Sequence, residues 1–208
     1  GRALTGKDFD KALSIYKAMK KDLTIDLCAS HGILSEDQLR RLFASGVTSY
    51  HHNIETSRRF FPHICTTHTF DDRIRTIKAA QRAGFCVCSG GIIGMGETWQ
   101  DRIDMAFTLQ ELGIESIPIN ALWPFPEQDG RPPFPSCRRH PADHRLFRFI
   151  NPTANIRLAA GRKLLPDNGE SALLHGASAS ITGNMLTTSG TTIKEDMEMI
   201  ARLGLVNH

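Results

Sequence analysis

The feature that most constrains the fold of this chain is a repeated alternation of short apolar strands with amphipathic helices. Strand candidates begin roughly every 25–40 residues, with a helical pattern between them, which is typical of parallel βαβ units. The predicted strands are residues 24–29, 48–54, 85–89, 115–122, 155–159 and 178–182. About six units fit, whereas a complete (β/α)8 barrel has eight strands and about 250 residues. The sequence therefore predicts an α/β fold, an incomplete (β/α)8 barrel, with a doubly wound open sheet as the alternative.

Capping residues mark where several of the predicted helices begin. Ser35 opens a capping box, and Thr69 and Thr98 each precede a helix that ends near a glycine. Phe9 and Leu13 recur at helical spacing in the first helix. A last helix is predicted from about residue 193 to residue 203.

One segment interrupts the alternation. Residues 123–145 hold six prolines and Cys137, with neither a helical nor a strand period. Proline at this density removes backbone donors and argues against the crossover helix expected between the flanking strands. We expect an irregular Pro- and Arg-rich loop or a disturbed stretch there, inside one domain that spans residues 1–208.

Polar side chains fall at the carboxyl ends of successive predicted strands, where barrels carry their chemistry. The five positions are Cys28, Asn53, Cys88, Asn120 and Arg157. Arg157 lies among apolar residues, so strand alternation aims it into the barrel, where a guanidinium needs anionic partners. Five such positions on five strands favour the barrel over the open sheet.

A cysteine followed by a glycine-rich turn indicates a cofactor site. Cys88 ends a short strand, and four of the seven residues at 90–96 are glycine, which lets the backbone approach a ligand closely. A thiolate there can bind a soft metal or an iron–sulfur cluster, although a strand cysteine is more often a core residue. Cys86 shares the face of Cys88 and is expected to pack in the core. Cys65 and Cys137 are expected to be bystanders.

The adjacent histidines His51 and His52 do not predict a shared metal site. Neighbouring strand residues point to opposite faces, so the two rings cannot easily bind one ion. We expect His51 to be available to a ligand and His52 to be structural.

Composition argues against several classes of function. The net charge is +3 with interspersed basic and acidic residues, which argues against nucleic acid as a partner. No apolar run is long enough to span a membrane and no secretory pattern is visible, so a cytoplasmic protein without a membrane partner is expected. The five cysteines are irregularly spaced, which fits reduced thiols better than a disulfide framework.

Five short runs, taken in order, resemble the biotin synthase family of radical S-adenosyl-L-methionine (AdoMet, SAM) enzymes. They are residues 50–57, 87–92, 116–120, 156–162 and 183–188. Each run alone is a weak signal, but their order and spacing together cover nearly the whole chain. The resemblance implies a barrel enzyme that inserts sulfur into dethiobiotin, the last step of biotin biosynthesis.

The resemblance also implies functional residues at the matching positions of this chain. The implied ligands of a sulfur-donating [2Fe-2S] cluster are Cys28, Cys88 and Arg157. The implied AdoMet contacts are Asn53, Glu55, Ile92 and Asn120. The implied dethiobiotin contacts are His51, Asn120, Thr187 and Thr188. A [4Fe-4S] cluster that cleaves AdoMet, a flavodoxin- or ferredoxin-type electron donor and a homodimer are implied as well.

The chain departs from the family pattern at the motif that binds the [4Fe-4S] cluster. The family's C-x3-C-x2-C motif is absent, since no three cysteines have that spacing. Residues 1–4 resemble the turn after the family's second strand, so we expect two strands upstream and no radical step by this chain alone. Two alternatives stay open. One is a related radical AdoMet enzyme such as a hydrogenase maturase, and the other is a non-catalytic fragment that at most binds AdoMet or dethiobiotin.

Overall fold

A computed structural model of the chain describes residues 3–122, 142–165, 167–184 and 190–206. Its contacts divide the chain into two compact units. Unit 1 comprises Gly1–Ile54 and Phe61–Ser89, and unit 2 comprises Glu55–Phe60 and Gly90–His208. No helix in the described ranges combines the length and the apolar character needed to cross a bilayer.

Unit 1 is a short parallel sheet with helices between its strands. Its elements are α1 (Gly6–Asp22), β1 (Cys28–Ala29), α2 (Glu36–Ala44), β2 (Ser49–His51), α3 (Phe61–Ile64), α4 (Phe70–Arg82) and β3 (Cys86–Cys88). The strands pair in the order β1-β2-β3. Ala29, Tyr50 and Val87 are buried on one face of this sheet, and helices α2 and α4 supply the buried Leu39 and Ile77.

The strands of unit 2 are parallel and pair in the order β4-β5-β6-β7. Its elements are β4 (Gly91–Ile93), α5 (Trp99–Glu111), β5 (Ser116–Ala121), α6 (Ala142–Ile150), β6 (Asn155–Leu158), a 3-10 helix (Arg162–Leu164), α7 (Glu170–His175), β7 (Ala179–Ser180) and α8 (Ile193–Arg202). Ile117 and Ile156 are fully buried in adjacent strands, and Leu109 of α5 and Phe147 of α6 are buried as well.

The helix starts predicted from capping residues are confirmed. Ser35, Thr69 and Thr98 each accept a hydrogen bond from the backbone N–H three residues on, while the side chain at that third position accepts in return. Thr192 caps α8 in the same way. These reciprocal bonds satisfy backbone donors that the first turn of a helix leaves without intrahelical partners.

All six predicted strands are present, but two sequence expectations were wrong. Gly91–Ile93, taken for a turn, is strand β4 and pairs with β5. A crossover helix was argued against between β5 and β6, yet α6 begins at Ala142 and runs through the end of the supposedly aperiodic segment. The remaining part of that segment, residues 123–141, lies outside the described residues.

The strand registers place the predicted ligands at different heights along their sheets. Cys28 is the first residue of β1 and aligns with Ser49 and Cys86, whereas Cys88 aligns with His51, two residues further along. Two residues of a parallel strand rise about 6.6 Å. Cys28 and Cys88 therefore lie on the same face of the sheet but at different heights along it.

Candidate functional site

One face of the unit 1 sheet carries three thiols and an imidazole. Cys28 and Cys86 are exposed and Cys88 is half-buried. The registers put all three on the same face as His51, opposite the buried side chains of Tyr50 and its neighbours. The core role expected for Cys86 is therefore wrong, because its side chain is exposed.

His51 and His52 lie on opposite faces, as predicted. The Nδ1 atom of His51 lies 3.4 Å from the Sγ atom of Cys88. His52 is buried and stacks on Tyr50, with ring centroids 6.3 Å apart. Burial, followed by the positive field of Arg73, lowers the pKa of His52 to about 3, so its ring is neutral at physiological pH. This supports a structural role for His52.

The thiol face can hold part of a metal site but not all of one. Thiolates are the ligands that soft metals and iron–sulfur clusters take. Within the described ranges, however, no three His, Cys, Asp or Glu side chains are close enough to hold one metal ion. Cys28, His51 and Cys88 therefore offer an incomplete ligand set.

Unit 2 brings three of the four predicted AdoMet positions together around β4. The Glu55 N–H donates to the Gly90 carbonyl at 3.2 Å, and the Ile92 N–H donates to the Glu55 carbonyl at 2.8 Å. Ile92 aligns with Asn120 of β5. The fourth position, Asn53, belongs to unit 1, where its carbonyl accepts a hydrogen bond from Arg73 at 2.7 Å.

Glu55 has a backbone conformation that side chains other than glycine rarely adopt. Its φ is 69°, in the left-handed region, where strain often accompanies a functional position. Gly91 makes this turn possible, because a Cβ at that position would meet the Glu55 carbonyl at 2.6 Å and the sulfur of Met105. Backbone hydrogen bonds on both sides of the half-buried Glu55, together with its bridge to Gly91, thus hold it beside β4.

The Asn120 side chain forms two hydrogen bonds with the backbone of unit 2. Its Nδ2 donates to the Gly91 carbonyl at 3.1 Å, and its Oδ1 accepts from the Ala160 N–H at 3.2 Å. A carboxamide has two N–H donors and two acceptor lone pairs, so one of each stays available to a ligand. The two bonds also fix the orientation of the amide.

Residues that the sequence patterns did not identify orient the glycine turn after β4. The Glu97 carboxylate accepts the N–H groups of Gly94 and Met95 at 2.8 and 2.7 Å. Arg102 donates to Glu97 at 2.8 Å and to Asp143 at 2.8 Å, and all three charged side chains are buried. Burial would lower the pKa of Arg102, but the carboxylates of Asp143 and Glu97 outweigh it and raise that pKa.

The sequence held only a weak signal for this clamp of Glu97, Arg102 and Asp143. Glu97 directly precedes the cap residue Thr98, and an acidic group near a helix start is common for reasons of capping and dipole alone. The partner Asp143 lies 41 residues beyond Arg102 in the chain. Nothing in the local pattern connects them.

Arg157 lies on β6 and lines a cavity of about 740 Å³ inside unit 2. Its Nη1 donates to the Ser116 hydroxyl at 3.3 Å, and Ser178 and Ser180 line the same cavity. The side chain is half-buried between the buried Ile156 and Leu158, in agreement with the predicted alternation. Thr187 and Thr188 lie outside the described residues.

Residues 1–109 match the model of the Radical SAM superfamily, which is more than half of the chain. This chain belongs to the radical SAM superfamily. Its second part, residues 118–206, matches the model of the Biotin and Thiamin Synthesis associated domain.

The radical SAM chain is similar to curated biotin synthases. It is 57% identical to that of Alkaliphilus metalliredigens over 98% of this chain and 64% of the relative. The biotin synthase of Clostridium beijerinckii is 55% identical, over 98% of this chain and 65% of the relative. That of Clostridium tetani is 54% identical, over 99% of this chain and 63% of the relative. The chain thus spans a little under two thirds of the length of these relatives.

Solved structures share the fold of this radical SAM chain at low identity. Methylornithine synthase matches with a TM-score of 0.78 at 16% identity, covering 97% of this chain and 64% of that protein. HydG, a maturase of the [FeFe]-hydrogenase, matches with a TM-score of 0.73 at 18% identity, covering 95% of this chain and 49% of that protein. The predicted fold class, α/β of the (β/α)8 type with part of its units present, is confirmed.

Proposed function

We propose that this chain is part of a biotin synthase, and that the whole enzyme inserts sulfur into dethiobiotin. The observation that carries the proposal is the identity above 50% to curated biotin synthases across almost the entire chain. The match to the associated domain of biotin and thiamin synthesis supports it independently. The whole enzyme would work in the cytoplasm as a homodimer with a flavodoxin- or ferredoxin-type electron donor.

The proposed residues for the [2Fe-2S] cluster are Cys28, Cys88 and Arg157. Cys28 and Cys88 lie two strands and two residues apart, which separates their Cα atoms by about 12 Å in a flat sheet. Each side chain reaches about 3 Å from its Cα atom, so the sulfurs stay at least about 6 Å apart even when the two side chains lean toward each other. A single ion with metal–sulfur bonds of about 2.3 Å holds thiolates at most about 4.6 Å apart. This spacing suits a binuclear cluster better than one ion.

Arg157 would add positive charge to a cluster that thiolates and sulfides make negative. Its guanidinium lines a cavity with serine hydroxyls and is held by Ser116. A guanidinium carries a permanent positive charge and five N–H donors, both of which suit an anionic ligand. When bound, the [4Fe-4S] cluster with AdoMet supplies the radical and the [2Fe-2S] cluster supplies the sulfur atom.

The proposed AdoMet contacts are Glu55, Ile92, Asn120 and Asn53. Glu55 can accept hydrogen bonds from ribose hydroxyls, and Asn120 retains one donor and one acceptor for the ligand. Ile92 offers an apolar surface on β4 at the level of Asn120. We further propose that dethiobiotin contacts His51, Asn120, Thr187 and Thr188.

Anaerobic reconstitution with iron and sulfide tests the ligand assignment. Iron and sulfide are counted and the visible absorption is recorded for this chain and for Cys88→Ala. We expect sulfide-to-iron bands in the parent and their loss in the variant, because Cys88 would supply one of the two thiolates. Cys65→Ala is the matched control, since Cys65 lies between α3 and α4 rather than on the thiol face, and it should keep the bands.

The result can contradict the proposal in two ways. Equal iron uptake by the parent and Cys88→Ala would refute the assignment of Cys88. An extended protein of the length of the curated relatives that forms no biotin from dethiobiotin, AdoMet and reductant would refute the activity. A hydrogenase-maturase function is disfavoured, because the similarity to HydG is at the level of the fold, at 18% identity.

A further inference from the structure

A second thiol site lies between α3 and α4 of unit 1, away from the thiol face. The Sγ atom of Cys65 is 3.3 Å from Nδ1 of His68 and 3.5 Å from the Thr67 hydroxyl. The same hydroxyl lies 3.0 Å from Nδ1 of His68. Cys65 is half-buried, so small molecules can reach its sulfur, and it forms no disulfide with another cysteine of the described ranges.

Packed side chains of unit 1 surround this Cys65–His68 pair. The Cys65 N–H donates to the Phe61 carbonyl at 3.1 Å, which ends the single turn of α3. The buried Phe61 ring contacts the His68 ring edge-on, with centroids 5.7 Å apart, and holds its orientation. On the other side, the guanidinium of Arg73 lies 5.5 Å from the Phe61 centroid. The nucleophile and its histidine are therefore held by packed side chains rather than by an exposed loop alone.

The charges around Cys65 favour its thiolate. Burial raises the pKa of the thiol, but hydrogen bonds from the Thr67 hydroxyl and the backbone N–H groups of Thr67 and His68, with the field of Arg73, outweigh burial and lower it. Burial and Arg73 also lower the pKa of His68, against a smaller opposing effect of Asp72. At neutral pH the His68 ring is therefore neutral, and its Nδ1 atom lies within hydrogen-bonding distance of the Cys65 sulfur.

We propose that Cys65 is a modification site that exchanges with low-molecular-weight disulfides. The Cys65 thiolate attacks one sulfur of the small disulfide, a new S–S bond forms as the old one breaks, and the second half leaves as a thiolate that takes up a proton. No further oxidant or reductant is needed, since the small disulfide is reduced as Cys65 is oxidised. This modification is independent of the proposed sulfur insertion.

Competitive alkylation with iodoacetamide across pH, followed by peptide mass spectrometry, measures the reactivity of each cysteine. Cys86 is the internal control, because it is an exposed thiol on β3 of the same unit. A lowered thiol pKa increases the thiolate fraction more than it weakens the nucleophile, so we expect Cys65 to react at least about threefold faster than Cys86 at pH 7. His68→Gln should reduce that advantage and move the pH–rate midpoint of Cys65 upward.

Incubation with oxidised glutathione then tests the exchange itself. We expect one glutathione per chain on the Cys65 peptide, and none on that position in Cys65→Ser. Thr67→Val should slow the exchange without abolishing it, because the hydroxyl is one of several groups that stabilise the thiolate. The proposal is overturned if Cys65 reacts no faster than Cys86 at any pH, if His68→Gln leaves its profile unchanged, or if its advantage persists in denaturant.

Discussion

Replacing Arg102 by glutamine removes the cation that bridges two buried carboxylates in unit 2. The side chains of Arg102, Glu97 and Asp143 are 5%, 1% and 0% exposed. Arg102 contacts Glu97 at 2.7 Å and Asp143 at 2.8 Å. Glutamine is too short to reach both acids and carries no charge, so both buried carboxylates would lose their ion pair with residue 102.

The expected loss of stability follows from this burial. Removing one partner of a buried ion pair costs about 3–5 kcal/mol, because the remaining charge cannot be resolvated. We take about 4 kcal/mol for Arg102→Gln, a large share of the roughly 5–15 kcal/mol by which a typical domain is stable. With a urea dependence of about 2 kcal/mol per molar, the unfolding midpoint would fall by about 2 M.

Urea unfolding followed by tryptophan fluorescence measures this change close to the mutation. Trp99 lies on the same helix, with the Arg102 guanidinium 5.5 Å from its ring centroid, and Trp123→Phe leaves it as the single tryptophan of the chain. Arg202→Gln is the matched control, since Arg202 pairs with Glu170 while its side chain is 60% exposed, so its loss should shift the midpoint far less. Equal midpoints for the two variants would refute the reasoning.

Three further predictions concern local structure and are all measured by chemical denaturation. Gly90→Ala should destabilise by about 1–3 kcal/mol, because its Cβ would overlap the backbone carbonyl of Pro118; a neutral result contradicts this. Thr69→Ala should lower the free energy of unfolding by about 1 kcal/mol, because it removes a capping hydrogen bond. The control Thr5→Ala should leave the free energy of unfolding almost unchanged, because the Thr5 side chain makes no capping bond. Burial raises the pKa of Asp101, but hydrogen bonds outweigh burial and lower that pKa to about 2. The ionised Asp101 therefore contributes about 1–2 kcal/mol to the free energy of unfolding above pH 4, and this contribution is lost as the pH falls from about 4 to about 2. Asp101→Asn should weaken the loss of stability between about pH 4 and pH 2. An unchanged pH dependence would mean that other groups cause that loss.

The helices were predictable because their signals are local. A capping box joins residues three apart, so Ser35, Thr69 and Thr98 could be read directly from the sequence. Helix α6 was missed for a related reason. The prolines before it dominated the window, although Phe147 and Ile150 are buried three residues apart in the turns that follow.

The sequence predicts which residue types form the candidate site and which face of the sheet they occupy. It does not predict how far along its strand each residue lies relative to the neighbouring strands. Strand alternation fixes which face a side chain occupies, so Cys86 and Cys88 were correctly placed together. The height of a residue depends on how its strand pairs with the next one, and such pairing joins residues far apart in the chain. That offset puts Cys28 level with Cys86 and leaves Cys88 beside His51. The distance between the two proposed cluster cysteines, and with it the preference for a binuclear cluster over a single ion, therefore depends on register that only the folded chain displays.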